Sequence, residues 1–399
     1  MHTRILVALA AWMVGLAAAG AHEWSGYIAA EGRLFFQDPL YSDQQRDNGS
    51  IAAQPEYYHE WENGSSVTFI PFARADSADA ERTHVDIREL NYLYREDIWF
   101  VRLGVGKVFW GATEFVHLVD IVNQTDLVEH IDGEDKLGQP MLQFGISPSW
   151  GNIDVFLMPF FRERTYPGRD GRLRDRRIID VDDPVYESSS EDRNVDLAVR
   201  YSHTIGSADF GVYLFRGTDR DPLLAPPSRI NPADTDTTRL IPFYQQINQF
   251  GADLQVVTGN WLWKWEGYFR SGYLQDYFAT VGGFEYTFFD VSGSGHDIGV
   301  LSEYTHNDRD DGGLTLFQND LFVGARWTPN DAAGTQVLTG FAQDVEQSEN
   351  LLTVEASRRF GEHWKLSIEA WLFLNSTPGS VLHSLRHDDF ARLDLSYYF

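Results

Sequence analysis

The sequence predicts an all-β chain: a transmembrane, antiparallel, up-and-down β-barrel of about eighteen strands, with about sixteen the next count. Three observations point there. The last nine residues, Ala391 to Phe399, alternate apolar and polar without a break, placing Ala391, Leu393, Leu395, Tyr397 and Phe399 on one face of a strand. Segments of this kind recur along the chain, whereas beyond the amino-terminal stretch no apolar run is long enough for a transmembrane helix. Short and long connections between the segments alternate, as the two ends of a membrane barrel require.

The strand pattern begins at Trp24 to Phe36, with Trp24, Ile28, Leu34 and Phe36 outward and Glu31 and Arg33 inward. Ile51 to Trp61 follows, then the tight turn Glu62-Asn63-Gly64-Ser65, then an outer face of Val67, Phe69, Pro71 and Ala73. Thr83 to Tyr94 changes phase near Arg88 and Glu89, which predicts a bulge. Trp99 to Val105 comes next. The later strands are 140–147, 152–162, 193–204, 208–216, 246–257, 261–270, 276–289, 296–306, 319–328, 335–345, 350–359, 363–374 and 389–399. A soluble sandwich or propeller would need burial on both faces or a repeated blade. Stripes such as Trp261, Trp263, Trp265 and Phe269 would be penalised in water and are at home in lipid.

The amino terminus reads as an export signal, 1–21. Arg4 supplies the basic start, Ile5 to Ala19 the apolar run and Ala19-Gly20-Ala21 the cleavage pattern, so residues 22–399 form one barrel domain with no plug before it. There is no cysteine, which excludes a disulfide scaffold in an exported chain. Aromatic residues make up 14% of the chain although its mean hydropathy is −0.33. Polar loops and lumen combined with aromatic walls produce that pairing. A formal net charge of −27 argues against nucleic acid and against anionic lipid as the main partner.

The closing Tyr397-Tyr398-Phe399 resembles the terminal strand of Gram-negative outer-membrane β-barrels. That resemblance implies an outer-membrane location and contact between Phe399 and the barrel assembly machinery. The stretch Arg102-Leu103-Gly104-Val105-Gly106-Lys107-Val108-Phe109-Trp110-Gly111 is similar to outer-membrane porins related to the alginate-export family, over about thirty residues. It departs from them at Gly106-Lys107-Val108, where such porins often have Gly-Arg-Gln. The resemblance implies a channel for a diffusible solute or an exported polymer.

The inward phase carries charges of both signs. Pore-lining candidates are Arg33, Arg88, Arg102, Arg200, Lys264, Glu266, Arg270, Glu303, Arg326 and Arg359. Most are expected to pair across neighbouring strands; unpaired ones would select solutes by charge. Segment 109–139 is too apolar for a loop in water, with Val116, Leu118, Val119, Ile121 and Val122. Folding into the lumen would bury these and make Glu114, His117, Asp120, Asn123 and Asp126 a constriction. Loop 163–192, basic then acidic, and the proline-rich loop 217–245 lie on the same end.

These residues predict a passive channel for small hydrophilic solutes or an exported polymer. A closed barrel that binds or scaffolds other envelope components is the alternative. A lipid-modifying enzyme is a weaker one, since no nucleophile–base motif and no metal spacing such as His-Glu-x-x-His is present. No catalytic residue, metal or cofactor is expected. The expected partners are outer-membrane lipid and lipopolysaccharide, the assembly machinery, a solute and, as among general porins, further copies of the chain.

Overall fold

A computed structural model describes residues 20–309 and 316–399. Eighteen antiparallel strands form one sheet that closes on itself. They are β1 Gly20–Phe35, β2 Asn48–Trp61, β3 Ser66–Asp76, β4 His84–Arg95, β5 Trp99–Gly106 and β6 Gln139–Ile146. Next come β7 Asn152–Met158, β8 Asp196–Ile205, β9 Ala208–Thr218, β10 Gln246–Thr258, β11 Trp261–Ser271 and β12 Asp276–Phe288. The last are β13 Asp297–Asn307, β14 Asn319–Thr328, β15 Gln336–Asp344, β16 Asn350–Phe360, β17 Trp364–Asn375 and β18 Phe390–Tyr398. Closure is made by β1 against β18, with Tyr27 opposite Tyr398 and Phe35 opposite Phe390.

The strand assignment from sequence agrees with this order throughout. The largest boundary differences lie at β1, which starts at Gly20 rather than Trp24, and β7, which stops at Met158 rather than 162. The signal-peptide assignment falls on residues 1–19, outside the described residues, except that Gly20 and Ala21 pair with Trp61 and Glu60 and so extend β1. Four short strands not anticipated from sequence tie the long loops 159–195 and 219–245 together: 239–244 pairs with 223–225, with 178–179 and with 185–186.

The alternation of the pleat sets what faces where. On β1, Leu34 is exposed on the outside while Arg33 and Phe35 are buried. Trp261, Trp263, Trp265 and Phe269 all face outward from β11, and Leu393, Leu395 and Tyr397 from β18. The bulge expected in β4 is present: Ile70 faces Glu89 and Pro71 faces Ile87, so Arg88 is the extra residue. Pro71 has no N–H to give the ladder, and a bulge is where a strand tolerates that loss. The bulge also turns both Arg88 and Glu89 inward.

The connections keep their alternation. Turns such as 206–207, 259–260 and 361–363 mark one end, and segments such as 107–138, 159–195 and 219–245 mark the other. A barrel of this strand number would leave a water-filled lumen. Instead, a buried apolar cluster lies inside it, formed by Trp110, Val119, Ile121 and Val122 against Phe156, Tyr213 and Phe215 of the wall.

Candidate functional site: a lumen crossed by one loop

Segment 107–138, between β5 and β6, crosses the lumen to the opposite wall. Gly111 starts the crossing at φ +153°, and a Cβ there would stand 3.2 Å from Glu266 Oε1 and 3.2 Å from His117 Nδ1. A side chain at this position would be both strained and crowded. Glu266 on β11 accepts hydrogen bonds from Ala112 N (2.6 Å), Thr113 N (2.9 Å), Thr113 Oγ1 (2.7 Å) and Val119 N (3.2 Å). Glu303 on β13 accepts from Glu114 N and Phe115 N, each at 2.8 Å. Two wall carboxylates thus satisfy backbone donors that would otherwise be orphaned in a buried loop. Phe115 stacks on Phe322 of β14 at 4.6 Å.

The far end of the segment is held by charge. Glu129 pairs with Arg74 of β3 at 2.7 Å and with His84 of β4 at 2.7 Å, and Arg33 of β1 donates to its carbonyl. His130 lies between Asp132 (2.7 Å) and Glu369 of β17 (2.8 Å). Burial would push the His130 imidazole down, but Asp132 and Glu369 outweigh it and hold the group up at about 9. The sets His84–Asp126–Glu129 and His130–Asp132–Glu369 are close enough to share a cation. Arg74, Arg88 and Arg392 already pair with their carboxylates, so both read as ion-pair clusters.

Of the pore-lining candidates, Arg33 pairs with Glu31 (2.9 Å), Arg88 with Asp126 (2.7 Å), Arg200 with Asp253 (2.7 Å) and Arg270 with Asp219 (2.8 Å). Lys264 and Arg326 pair with Glu114 where the loop meets their wall, at 3.3 and 2.6 Å. Arg102 makes no ion pair among the described residues, and its Nε is buried without a partner. Arg359 is exposed near the short-turn end, over the Tyr398 ring.

The loop candidates divide by role. Asn123 staples the loop base, donating to the carbonyls of Gly106 (2.9 Å) and Leu137 (2.8 Å) and accepting from Val108 N (2.8 Å). Asp126 is fully buried between Arg88 and Thr165. Asp120 meets Lys136 at 3.4 Å. Glu114, His117 and Asp120 border open space, and they are joined there by Glu355, which the alternation of its strand places inward, and by Glu134, which was not singled out from sequence. A row of inward side chains gives no signal of which will meet a loop from across the barrel.

That space has two joined parts. One, about 300 Å³, is bordered by Glu114, His117, Asp120 and Glu134 from the loop and by Arg220, Arg270 and Glu355. The other, about 320 Å³, lies toward the long loops and is largely apolar, with Leu127, Ile131, Leu173, Leu224 and Leu385. Val116, Leu118, Arg164 and Asp221 border both. In the charged part the cations are spoken for. Arg164 pairs with Asp221, Arg220 with Asp196, Arg270 with Asp219 and Lys136 with Asp120. Glu355 has no ion pair among the described residues, and Glu134 has only His117, at 3.9 Å. Burial lowers the His117 imidazole below its ordinary range, which favours the uncharged form of that neighbour.

Across its length the model aligns with a BenF-like porin from Pseudomonas fluorescens Pf-5, with a TM-score of 0.53 and 9% identity over 96% of this chain and 99% of that one. It aligns similarly with Pseudomonas aeruginosa OpdQ, with a TM-score of 0.52 and 9% identity over 96% and 98%. The chain has the fold of an outer-membrane porin. Identity this low carries the porin fold and no residue roles. No family model and no curated protein matches the sequence. The alginate-export resemblance of Arg102–Gly111 gains no support from these two porins.

Proposed function

We propose that the protein is a passive channel of the Gram-negative outer membrane for small hydrophilic solutes, with segment 107–138 as its constriction and a preference for cations. The carrying observation is the loop itself. It is fastened to β11, β13 and β14 on one side and to β1, β3, β4 and β17 on the other, and so narrows the lumen at a fixed place. Charge selectivity follows from surplus, because a paired ion presents little net field to a passing solute. Around the charged chamber the cations are matched and the carboxylates of Glu134 and Glu355 are left over. The apolar belt fits hydrocarbon, and the long loops face outward from the cell as in porins. The reading includes no catalytic step.

Reconstitution in planar bilayers tests it. Discrete conductance steps are expected, with a reversal potential of cation-selective sign under a salt gradient. The double variant Glu134→Gln, Glu355→Gln should move that potential toward zero with conductance altered less than about twofold. Folded protein that stays silent in varied salt and voltage would instead support a closed binding or scaffold barrel. An anion-selective potential would overturn the charge assignment alone.

A further inference from the structure

One stretch of the outer wall departs from the apolar pattern. Outward from β9 point Phe210, Val212 and Leu214, and then Arg216. Arg216 is exposed and makes no hydrogen bond, ion pair or ring contact with any described residue. Its lateral neighbour on β10 is Asn248, and the neighbour of Asn248 on β11 is Ser271. Directly below this polar row lie Leu214, Phe250 and Phe269, also outward. The two rows border a furrow of about 360 Å³ on the outside of the barrel.

The height of that furrow is set by register. From the Asn248–Ser271 pair to the Thr258–Trp261 pair, at the short-turn end, is ten residues along β10. At roughly 3.3 Å per residue and a strand tilt of about 40°, the rise is roughly 25 Å, the height of the apolar band of an outer-membrane barrel. Trp261 and Trp263 therefore mark one interface, and Arg216 sits at the other, on the long-loop side. A guanidinium there is stable only against water or an anion, and planar guanidinium groups pair best with phosphate. The carboxylate of this outward row, Asp276 opposite Ser271 on β12, stands three strands away from Arg216, roughly 14 Å at the usual strand spacing.

We propose that this furrow seats one acylated, phosphorylated glycolipid of the outer leaflet. A phosphate would bind Arg216, with the Asn248 amide and Ser271 hydroxyl donating beside it, and an acyl chain would lie over Leu214, Phe250 and Phe269. The proposal rests on the outer-membrane reading for the choice of leaflet. It does not rest on the channel being open.

The test uses the full-length folded protein in detergent freed of native lipid, with a hexa-acylated bis-phosphorylated lipid A as the probe and native mass spectrometry as the readout. Wild type is expected to retain one lipid A. Arg216→Gln should bind at least about tenfold more weakly, Arg216→Lys should recover most of the difference, and lipid A stripped of phosphate should bind wild type no better than it binds Arg216→Gln. Equal binding by wild type and Arg216→Gln would overturn the site. So would equal wild-type binding of phosphatidylethanolamine, or a wild-type oligomer that Arg216→Gln dissolves without lipid. Bilayer conductance of the same samples separates the two readings: a conducting variant with unchanged lipid binding removes the furrow site only, whereas a silent barrel that still discriminates removes the channel only.

Discussion

Glu266 shows what a single inward residue does in this barrel. It is fully buried, and both carboxylate oxygens accept from loop donors. Hydrogen bonds to a charged acceptor contribute about 1.5–3 kcal/mol each, and the donors left behind by truncation would be buried without partners. Glu266→Ala should therefore cost more than about 3 kcal/mol locally and free the loop end. Higher single-channel conductance with flicker, and new protease cleavage between 107 and 125, are the expected outcomes; unchanged conductance and protection would contradict the anchoring role. Glu134 supplies a second residue-scale prediction. Enclosure in the barrel, and then the like charges of Asp132 and Glu355, push its carboxyl up to about 7. Its charge appears only as pH rises through that value, so cation selectivity should increase between about pH 5.5 and pH 8.5, and Glu134→Gln should flatten the change. Reversal potentials across that range decide it. From sequence these glutamates are simply members of an inward phase, or of a loop; partners from β11 and from a loop more than a hundred residues away are brought together only by closure of the barrel.

At the scale of the element, segment 107–138 is a loop that behaves as core. Its apolar content announced that it could not stand in water, and Val119 and Val122 are indeed fully buried. Where it would dock could not be read locally, because its anchors Glu303, Arg326 and Glu369 belong to the last third of the chain. The bulge at Arg88 was legible, since a phase change in an alternating strand has few other causes. The His130–Glu369 pair ties the loop to β17 and carries a pH dependence. Its raised value means that the protonated imidazole is favoured in the folded loop. The contribution is complete below about 6.5, the ordinary histidine value, and is lost as pH rises through about 9. Gating noise should grow above about pH 9 in wild type, while His130→Gln should be noisy at every pH. A quiet His130→Gln channel would contradict the tether.

For the whole molecule, closure joins the chain ends. β18 completes the wall only by pairing with β1 on one side and β17 on the other, so neither terminal strand is satisfied until the barrel shuts. Phe399 N donates to the Gly26 carbonyl at 3.1 Å, while its ring stands exposed on the outer face. A ring that packs on nothing inside adds little to the finished barrel. Deleting Phe399 should thus lower the yield of inserted protein several-fold, with the conductance of the molecules that do insert unchanged. Surface levels equal to wild type would remove the assembly role.

The sequence by itself determined the wall: strand number, order, inward and outward phase, the bulge and the alternation of connections. Each depends on the two-residue period of a strand and on lipid outside, and both are local signals. Only the tertiary structure decided the contents of the lumen. Which charges cancel, which carboxylates remain over and where the loop is fastened depend on which distant strands the closed circle sets opposite one another. A one-dimensional alternation states the side a residue faces and carries no information about what faces it from across the barrel.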